Sequence, residues 1–217
     1  MIDLLLNNPA AFLQQLVLLI PALLVAVTVH ELAHGLVADR LGDSTARLQG
    51  RLTLNPLPHI DPIGALALVL AGFGWAKPVP VNAFNLRRPI RDMAWIAAAG
   101  PASNFVVAFL ALVAFGLLPR VVDVPFVARP LAELLKAVYV LNLSLGIFNL
   151  IPVPPLDGGH FLPYFLPRRS WSLLHQLEQY APFILLLLLM TGLTRYVVDP
   201  VFQFVSGIYI DIVRLIL

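Results

Sequence analysis

The sequence contains no cysteine and unusually little charge. Without cysteine, disulfides and thiolate metal sites are excluded, so any metal must be bound by histidine, carboxylate or water. Only 12% of the residues are charged, against about 25% in soluble domains, while 59% are hydrophobic and the mean hydropathy is +0.87. The few basic residues do not cluster with aromatic ones, which argues against nucleic-acid binding. The composition therefore predicts a polytopic membrane protein whose partners lie in or near the lipid bilayer.

Long apolar runs predict four membrane spans, since a crossing helix needs about 20 apolar residues. The predicted spans are residues 11–37, 93–118, 137–156 and 180–194. The run at 63–74 is too short to cross, so we expect it to be re-entrant or packed inside the bundle. The tail at 197–217, interrupted by charge and proline, is expected to lie along the interface as an amphipathic helix. The polar stretch at 42–61 has the pattern of a short hairpin.

Basic residues are concentrated between the first and second predicted spans. They are Arg40, Arg47, Arg51, Lys77, Arg87, Arg88 and Arg91. Because loops rich in Lys and Arg stay on the cytoplasmic side of a membrane, this stretch is expected to be cytoplasmic and the loop at 119–130 external. The chain then returns, so residues 149–160 are expected at the same depth as the end of the first span.

The first predicted span ends in the pentapeptide His30-Glu31-Leu32-Ala33-His34. Residues four apart share one face of a helix, so both imidazoles can bind one metal ion, and the glutamate between them can act as general base. The alternative is a helical cluster held by hydrogen bonds alone. Because ionisable groups at membrane depth are costly and usually functional, the pattern favours a zinc hydrolase site.

A catalytic zinc needs a third protein ligand and an open position for water. The only carboxylate near the end of the 137–156 span is Asp157, in the sequence NLIPVPPLDGGH. Prolines break the helix before it, and Gly158 and Gly159 free the backbone, so that its side chain can turn toward the metal. Asp157 is therefore the candidate third ligand, with a simple turn role as the alternative. His160 competes for the ligand role; the alternatives are a hydrogen bond behind the ligands or a position facing the membrane interface.

Residues 77–82, with the sequence KPVPVN, are predicted to be extended. Each proline fixes φ, removes a donor and disfavours helix at the preceding residue, and a strand of this kind must lie at an edge. Such an edge offers main-chain partners, through Val79 and Val81, to an unwound substrate segment that adds as a strand.

Taken together, the motifs resemble those of the site-2 proteases, which are intramembrane zinc metalloproteases. The resemblance rests on HELAH in the first span and NLIPVPPLDGGH at the end of a later one, with GRLTLNPLPHIDPIG, GFGWAKPVPVN and AAGPASN between them. It covers residues 25–162. No stretch between the spans is long enough for a PDZ or CBS regulatory domain, so the chain resembles a minimal form of the family.

The resemblance implies one zinc ion per chain, with Glu31 as the general base. The zinc ligands that it implies are His30, His34 and Asp157. It also implies that Asn149 lies near the active site, where its amide would hold the substrate backbone or the oxyanion, with an interhelical hydrogen bond as the alternative. Asn104, in AAGPASN, matches the family as well, in a substrate-binding or purely structural role.

We therefore predict an all-α polytopic membrane protein, a bundle of about four to six transmembrane helices with a short re-entrant or edge-strand element. It forms one domain over residues 1–217, with its core at 11–162. The predicted function is hydrolysis of peptide bonds within or near the transmembrane segments of membrane proteins. The predicted location is the plasma (inner) membrane of a prokaryote, with the active site toward the cytoplasm, and the sequence indicates no oligomeric state. The rival functions are a zinc or divalent-metal transporter, which would need a polar path through the spans, and a catalytically silent membrane scaffold.

Overall fold

Long helices dominate the computed structural model, which describes residues 6–71 and 74–217. Within these residues, four helices are long and apolar enough to cross a membrane, judged by length and composition. They are α1, Pro9–Arg40; α4, Pro89–Val121; α5, Pro125–Asn149; and, within α9 (Leu193–Ile216), the part Arg195–Ile216. The shorter helices are α2, Thr45–Leu48; α3, Pro62–Ala71; α6, Leu162–Phe165; α7, Trp171–Gln179; and α8, Ala181–Thr191. The predicted all-α membrane fold is confirmed.

Proline marks the beginning of three long helices. Pro9, Pro89 and Pro125 stand in the first turn, where the missing N–H has no helical partner to lose. Further prolines follow Asn149 and stop α5 there. The helix therefore begins and ends earlier than the predicted span at 137–156, and the chain that carries Asp157 is free to turn.

Helix α4 packs against both α1 and α5, which also contact each other. The core between α4 and α5 consists of Ala108, Ala111, Tyr139, Leu143 and Ile147. Small alanine side chains let the two backbones approach closely. Helix α9 covers this core, and the Tyr139 hydroxyl donates to Ser206 Oγ at 2.6 Å. This packing holds the end of α1 beside the chain that leaves α5.

The predicted hairpin at 42–61 is wrong. The segment forms α2 and, after a bend, a 3-10 turn at Leu57–His59. Asp43 explains the difference, because its Oδ1 accepts hydrogen bonds from both the backbone N–H and the hydroxyl of Thr45. Local side-chain bonds of this kind favour a turn into a helix over a strand ladder. Among the described residues, the strand pairing is limited to one isolated antiparallel bridge, Ile60 to Ala76.

Helix α3 is short and packs closely against the chain at residues 74 and 75. It has 10 residues, so it is about 15 Å long, half of the ~30 Å hydrocarbon thickness. A Cβ at Gly64 would meet the Trp75 carbonyl oxygen at 2.1 Å, and one at Gly74 would meet the Gly64 oxygen at 2.3 Å. Only glycine permits such backbone contact. The helix is short, as predicted for 63–74, of which residues 72 and 73 lie outside the described part, and its re-entrant or bundle-packed position stays a prediction.

The two C-terminal helices have different bounds from the predicted span and tail. The predicted span at 180–194 contains α8, which has 11 residues, and Gly192 then turns the chain with a φ of 67°. The predicted interfacial tail at 197–217 belongs to α9, which has 24 residues. By length, α9 is the helix that reaches across a bilayer. The placement of the two helices in the membrane stays a prediction.

Candidate active site

His30, Glu31 and His34 lie in the last third of α1 and are buried, with 6%, 9% and 9% of each residue exposed. One helical turn separates the histidines, so their rings meet edge to face with centroids 4.5 Å apart, and their Nε2 atoms are 3.0 Å apart. The pair faces α4, where a Cβ at Gly100 would lie 2.5 Å from the His34 ring. Gly100 therefore makes room for both rings.

Asp157 approaches the histidines from the chain that follows α5. It begins the 3-10 turn Asp157–Phe161, and its carboxylate oxygens lie 3.1 Å from His30 Nε2 and 3.3 Å from His34 Nε2. The turn is tight, because a Cβ at Gly158 would meet the Ile151 carbonyl oxygen at 2.3 Å. The structure thus brings the three predicted ligands together, with their ligand atoms within 4.8 Å of one another.

Hydrogen bonds determine which nitrogen of each imidazole carries the proton. His34 Nδ1 lies 2.7 Å from the Ile96 carbonyl oxygen, which only accepts, so this nitrogen is the donor. His30 Nδ1 lies 2.6 Å from Asn104 Oδ1 and is also the donor, because both N–H groups of the Asn104 amide are used elsewhere. A neutral imidazole has one proton. Both Nε2 atoms therefore present lone pairs on the side of Asp157.

With both imidazoles neutral, two lone pairs and two carboxylate oxygens thus converge without a proton among them. Asp157 Oδ2 is buried and has no hydrogen-bond partner among the described residues. Such a group of acceptors is stable only around a cation. The two Nε2 atoms lie 3.0 Å apart, and the carboxylate oxygens of Asp157 lie 3.1 and 3.3 Å from them. These distances are close to the ~3.4 Å expected between tetrahedral ligand atoms about 2.1 Å from zinc. The donor set fits one zinc ion, with the fourth position left for water or substrate.

Glu31 contacts the extended segment 77–82. Its Oε2 accepts a hydrogen bond from the Val79 N–H at 2.8 Å, and Val79 is buried. Glu31 is not among the residues of the ligand group. Its position suits a base that moves a proton without binding the metal.

Two charged side chains hold the ends of the segment 77–82. Arg51 donates from Nη2 to the Lys77 carbonyl oxygen at 2.7 Å. Asp43 Oδ2 accepts from the Asn82 N–H at 2.6 Å. Together with the bond to Glu31, these contacts tie the segment to α1 and to the loop that follows it.

Asp43 is completely buried and remains ionised at neutral pH. Burial raises its pKa, but hydrogen bonds from Thr45, Asn85 and Asn82 outweigh that effect and leave the pKa below its ordinary value. A carboxylate that accepts several hydrogen bonds is a firm anchor for the segment.

The segment 77–82 keeps one main-chain donor unpaired. Pro78 and Pro80 have no N–H, and the Lys77 N–H donates to the His59 carbonyl oxygen at 3.0 Å. The N–H groups of Val79 and Asn82 are bonded to side chains. The Val81 N–H has no hydrogen-bond partner within the described residues, so it is the donor that the segment offers.

A cavity of about 870 Å³ lies beside the metal group. The four residues of the metal and base group line it, together with Val79 and Val81. Most of the remaining lining is apolar, and α1 and α3 supply part of it, for example Leu24 and Leu68. A cavity of this character suits a hydrophobic segment of chain.

The other predicted site residues take different positions around the cavity. Asn149 lines it, and its Nδ2 donates to the Leu145 carbonyl oxygen at 3.0 Å within α5. His160 lines it too, but is exposed and lies outside the three-residue ligand group. Asn104 is completely buried and contacts the His30 ring directly.

Sequence reasoning missed three groups that shape the site. They are the Ile96 carbonyl, the space at Gly100 and the side chain of Asn142. Each acts on a partner in another helix, so no local spacing marks it. For Gly100 the motif AAGPASN was the available signal, since a glycine inside a long helix usually has a packing reason.

Comparisons with known proteins relate the whole chain to a family. The sequence profile of peptidase family M50 matches residues 18–192. YwhC of Bacillus subtilis (strain 168), which carries a zinc metalloprotease name, is 39% identical over 84% of this chain and 84% of its own length. Rip2 of Mycolicibacterium smegmatis, named likewise, is 29% identical over 91% of this chain and 76% of its own length. Zinc metalloprotease MJ0392 of Methanocaldococcus jannaschii is 31% identical over 68% of this chain and 34% of its own length. No solved structure matches the chain.

The profile covers most of the chain, and the relatives share the zinc metalloprotease name. Four apolar helices make it an integral membrane protein, and a His30, His34 and Asp157 group is able to hold the metal. The predicted zinc endopeptidase is thereby confirmed, and the chain belongs to peptidase family M50, the site-2 protease family.

Proposed function

We propose that this protein hydrolyses peptide bonds within or near the transmembrane segments of membrane-protein substrates. In this proposal His30, His34 and Asp157 are the zinc ligands and Glu31 is the general base. The observation that carries it is a metal group next to a mostly apolar cavity, set among helices long enough to cross a membrane. An apolar cavity at that position suits a hydrophobic segment better than a polar loop.

Glu31 is the proton carrier of the proposed reaction. Zinc bound by the three ligands would supply Lewis acidity to the scissile carbonyl and to the attacking water. The Glu31 carboxylate takes the proton of that water and passes it to the leaving amine. The hydrogen bond from the Val79 N–H orients Oε2 and leaves the other carboxylate oxygen for the proton.

Substrate must unwind before it is cut. A transmembrane helix pairs its N–H and C=O groups internally, and groups freed in an apolar environment need new partners. The segment 77–82 offers the Val81 N–H and the carbonyl groups around it. Addition of the unwound substrate as a strand would satisfy these groups and place its backbone beside the metal group.

Cleavage in reconstituted bilayers tests the proposal. The purified protein, in proteoliposomes with a single-span model substrate, should cut within or next to the apolar segment, as mapped by mass spectrometry of the products. Zinc removal with a chelator should stop the reaction. Cuts restricted to loops far from the bilayer would contradict the proposed function. Zinc flux without cleavage in the same vesicles would favour a transporter. The absence of both cleavage and zinc flux would favour a catalytically silent scaffold.

Val81→Pro tests substrate capture. We expect cleavage of transmembrane substrates to slow about tenfold, the worth of one main-chain hydrogen bond, with zinc content and melting temperature near those of the parent. Proline removes the N–H that the segment offers but suits a segment that already contains Pro78 and Pro80. The rate, zinc content and melting temperature are measured on the same preparations.

The matched control is Val81→Ala, which keeps the N–H and shortens the side chain, and which should cut at nearly the parental rate. A stable and fully active Val81→Pro protein would exclude pairing through this N–H. Joint loss of stability and activity would identify the segment as a rigid linker instead.

We further propose that the active site faces the cytoplasm from the plasma (inner) membrane of a prokaryote. The basic stretch between α1 and α4 supports this orientation. Because the chain lacks cysteine, single cysteines at Ser44, Asp123 and Ser170 can be labelled without background. Ser44 follows α1 and Asp123 follows α4, so the two stand at opposite ends of consecutive spans.

We expect membrane-impermeant reagents to label positions 44 and 170 from the cytoplasmic side and position 123 from the outside. Labelling of Asp123→Cys and Ser170→Cys from the same side would contradict the proposed topology.

A further inference from the structure

We propose that Asn142 is a positioning residue for the metal centre, which through Asn104 holds His30 in the orientation and tautomer that metal binding requires. The proposal rests on the ligand role proposed for His30. It assigns a role to a buried polar residue of α5 that neither belongs to the metal-ligand group nor lines the cavity.

The structure contains a chain of hydrogen bonds from α5 through α4 to α1. Asn142 Nδ2 donates to the Val138 carbonyl oxygen at 2.8 Å, and Asn142 Oδ1 accepts from Asn104 Nδ2 at 2.9 Å. Asn104 Nδ2 also donates to the Ala26 carbonyl oxygen at 3.0 Å, and Asn104 Oδ1 faces His30 Nδ1 at 2.6 Å. Both asparagines are 0% exposed, so water does not replace a missing partner.

Backbone carbonyls fix the direction of this chain. A carbonyl oxygen only accepts, so Val138 orients the Asn142 amide, and its oxygen then faces Asn104. The Ala26 carbonyl and the Asn142 oxygen together require both N–H groups of Asn104. The Asn104 oxygen is thereby left for His30, whose Nδ1 must donate and whose Nε2 keeps its lone pair.

His30 depends on this arrangement more than His34 does. The partner of His34 is the Ile96 backbone carbonyl, which is held in α4 and cannot reverse its polarity. The partner of His30 is a side-chain amide, which rotates unless its N–H groups are bound. If the amide turned over, its N–H would face His30 Nδ1, and the proton would move to Nε2, where it blocks the metal. Asn142 supplies one of the two bonds that prevent this rotation.

Asn142→Leu tests the proposal, because leucine has nearly the same volume but accepts no hydrogen bond. We expect the zinc Kd of the purified protein, measured by competition with a chromophoric chelator, to rise about tenfold. This is the low end of the loss of affinity seen when a hydrogen-bond partner of a metal ligand is removed. In the metal-free protein, ¹⁵N NMR of the histidine side chains should show the Nδ1–H form of His30 in the parent and a loss of that form in the variant.

Leu143→Ala is the matched control. Leu143 is the next residue of α5, is also 0% exposed and packs in the core between α4 and α5. Its truncation should lower the melting temperature but leave the zinc Kd and the His30 tautomer unchanged. A purely structural role of Asn142 predicts the same result for Asn142→Leu, so that result would overturn the proposal.

A double-mutant cycle shows whether Asn142 acts through Asn104. Asn104→Leu should weaken zinc binding by about 10- to 100-fold, and Asn142→Leu added to it should cause no further change. Independent, multiplying effects would overturn the proposed relay. If Asn142→Leu does not fold, Asn142→Ala takes its place in the cycle with the same expectations. If the relay proposal fails, a variant of a proposed zinc ligand should still lose its zinc. The relay and the proposed ligand roles can therefore be tested separately.

Discussion

Glu31→Gln is expected to lower the rate of substrate cleavage by about 10²-fold or more while the zinc content stays at one ion per chain. Glutamine keeps an oxygen that accepts from the Val79 N–H, so the contact between α1 and the segment 77–82 survives. The amide cannot accept the proton of the attacking water at neutral pH. The loss should therefore fall on the chemical step, which single-turnover cleavage in proteoliposomes measures.

The matched control for this variant is Glu133→Gln. Glu133 is an exposed residue of α5, outside the cavity and the ligand group, and its loss of charge should leave the rate unchanged. Cleavage by Glu31→Gln at the parental rate would refute the proposed base. Loss of zinc from Glu31→Gln would mean that Glu31 binds or supports the metal.

His34→Ala is expected to lose most of its zinc and its activity. The substitution removes one of the three proposed protein ligands and the bond from Nδ1 to the Ile96 carbonyl oxygen. Two remaining ligands hold zinc poorly, because structural and catalytic sites use three or four. Zinc per chain, measured by elemental analysis of folded protein after removal of free metal, checks the expectation.

His160→Ala serves as control and also decides between two candidate ligands. His160 stands near Asp157 in sequence but is exposed and lies outside the ligand group, so this variant should keep its zinc. Full zinc retention in His34→Ala would remove His34 from the ligand set. Zinc loss in His160→Ala would restore His160 as a competitor of Asp157.

The grouping of the three proposed ligands was predictable because local patterns mark them. His30 and His34 are four residues apart on an apolar run, and helical geometry alone puts them on one face. Asp157 follows prolines that end a helix and precedes two glycines that let the chain turn. The structure places its carboxylate 3.1 Å and 3.3 Å from the two Nε2 atoms.

Elements without a strong period were predicted less well. Leucines around Gly50 gave the stretch at 42–61 an alternating pattern, but hydrogen bonds that Thr45 donates to Asp43 turn the chain into α2. The predicted helix boundaries near the C-terminus differ from the observed ones. Pro200 lies inside α9, and the turn before this helix is made by Gly192. Side-chain caps and single glycines decide such boundaries, and hydropathy does not record them.

The sequence by itself determined that this is a helical membrane protein with a two-histidine metal motif and a candidate aspartate ligand, because composition and short spacings carry that information. The tertiary structure decided how the site is held. It alone joins His30 to Asn104 across 74 positions and Val79 to Glu31 across 48. Contacts between distant parts of the chain depend on how α1, α4 and α5 pack, and packing is a property of the whole bundle that no periodicity along one segment contains.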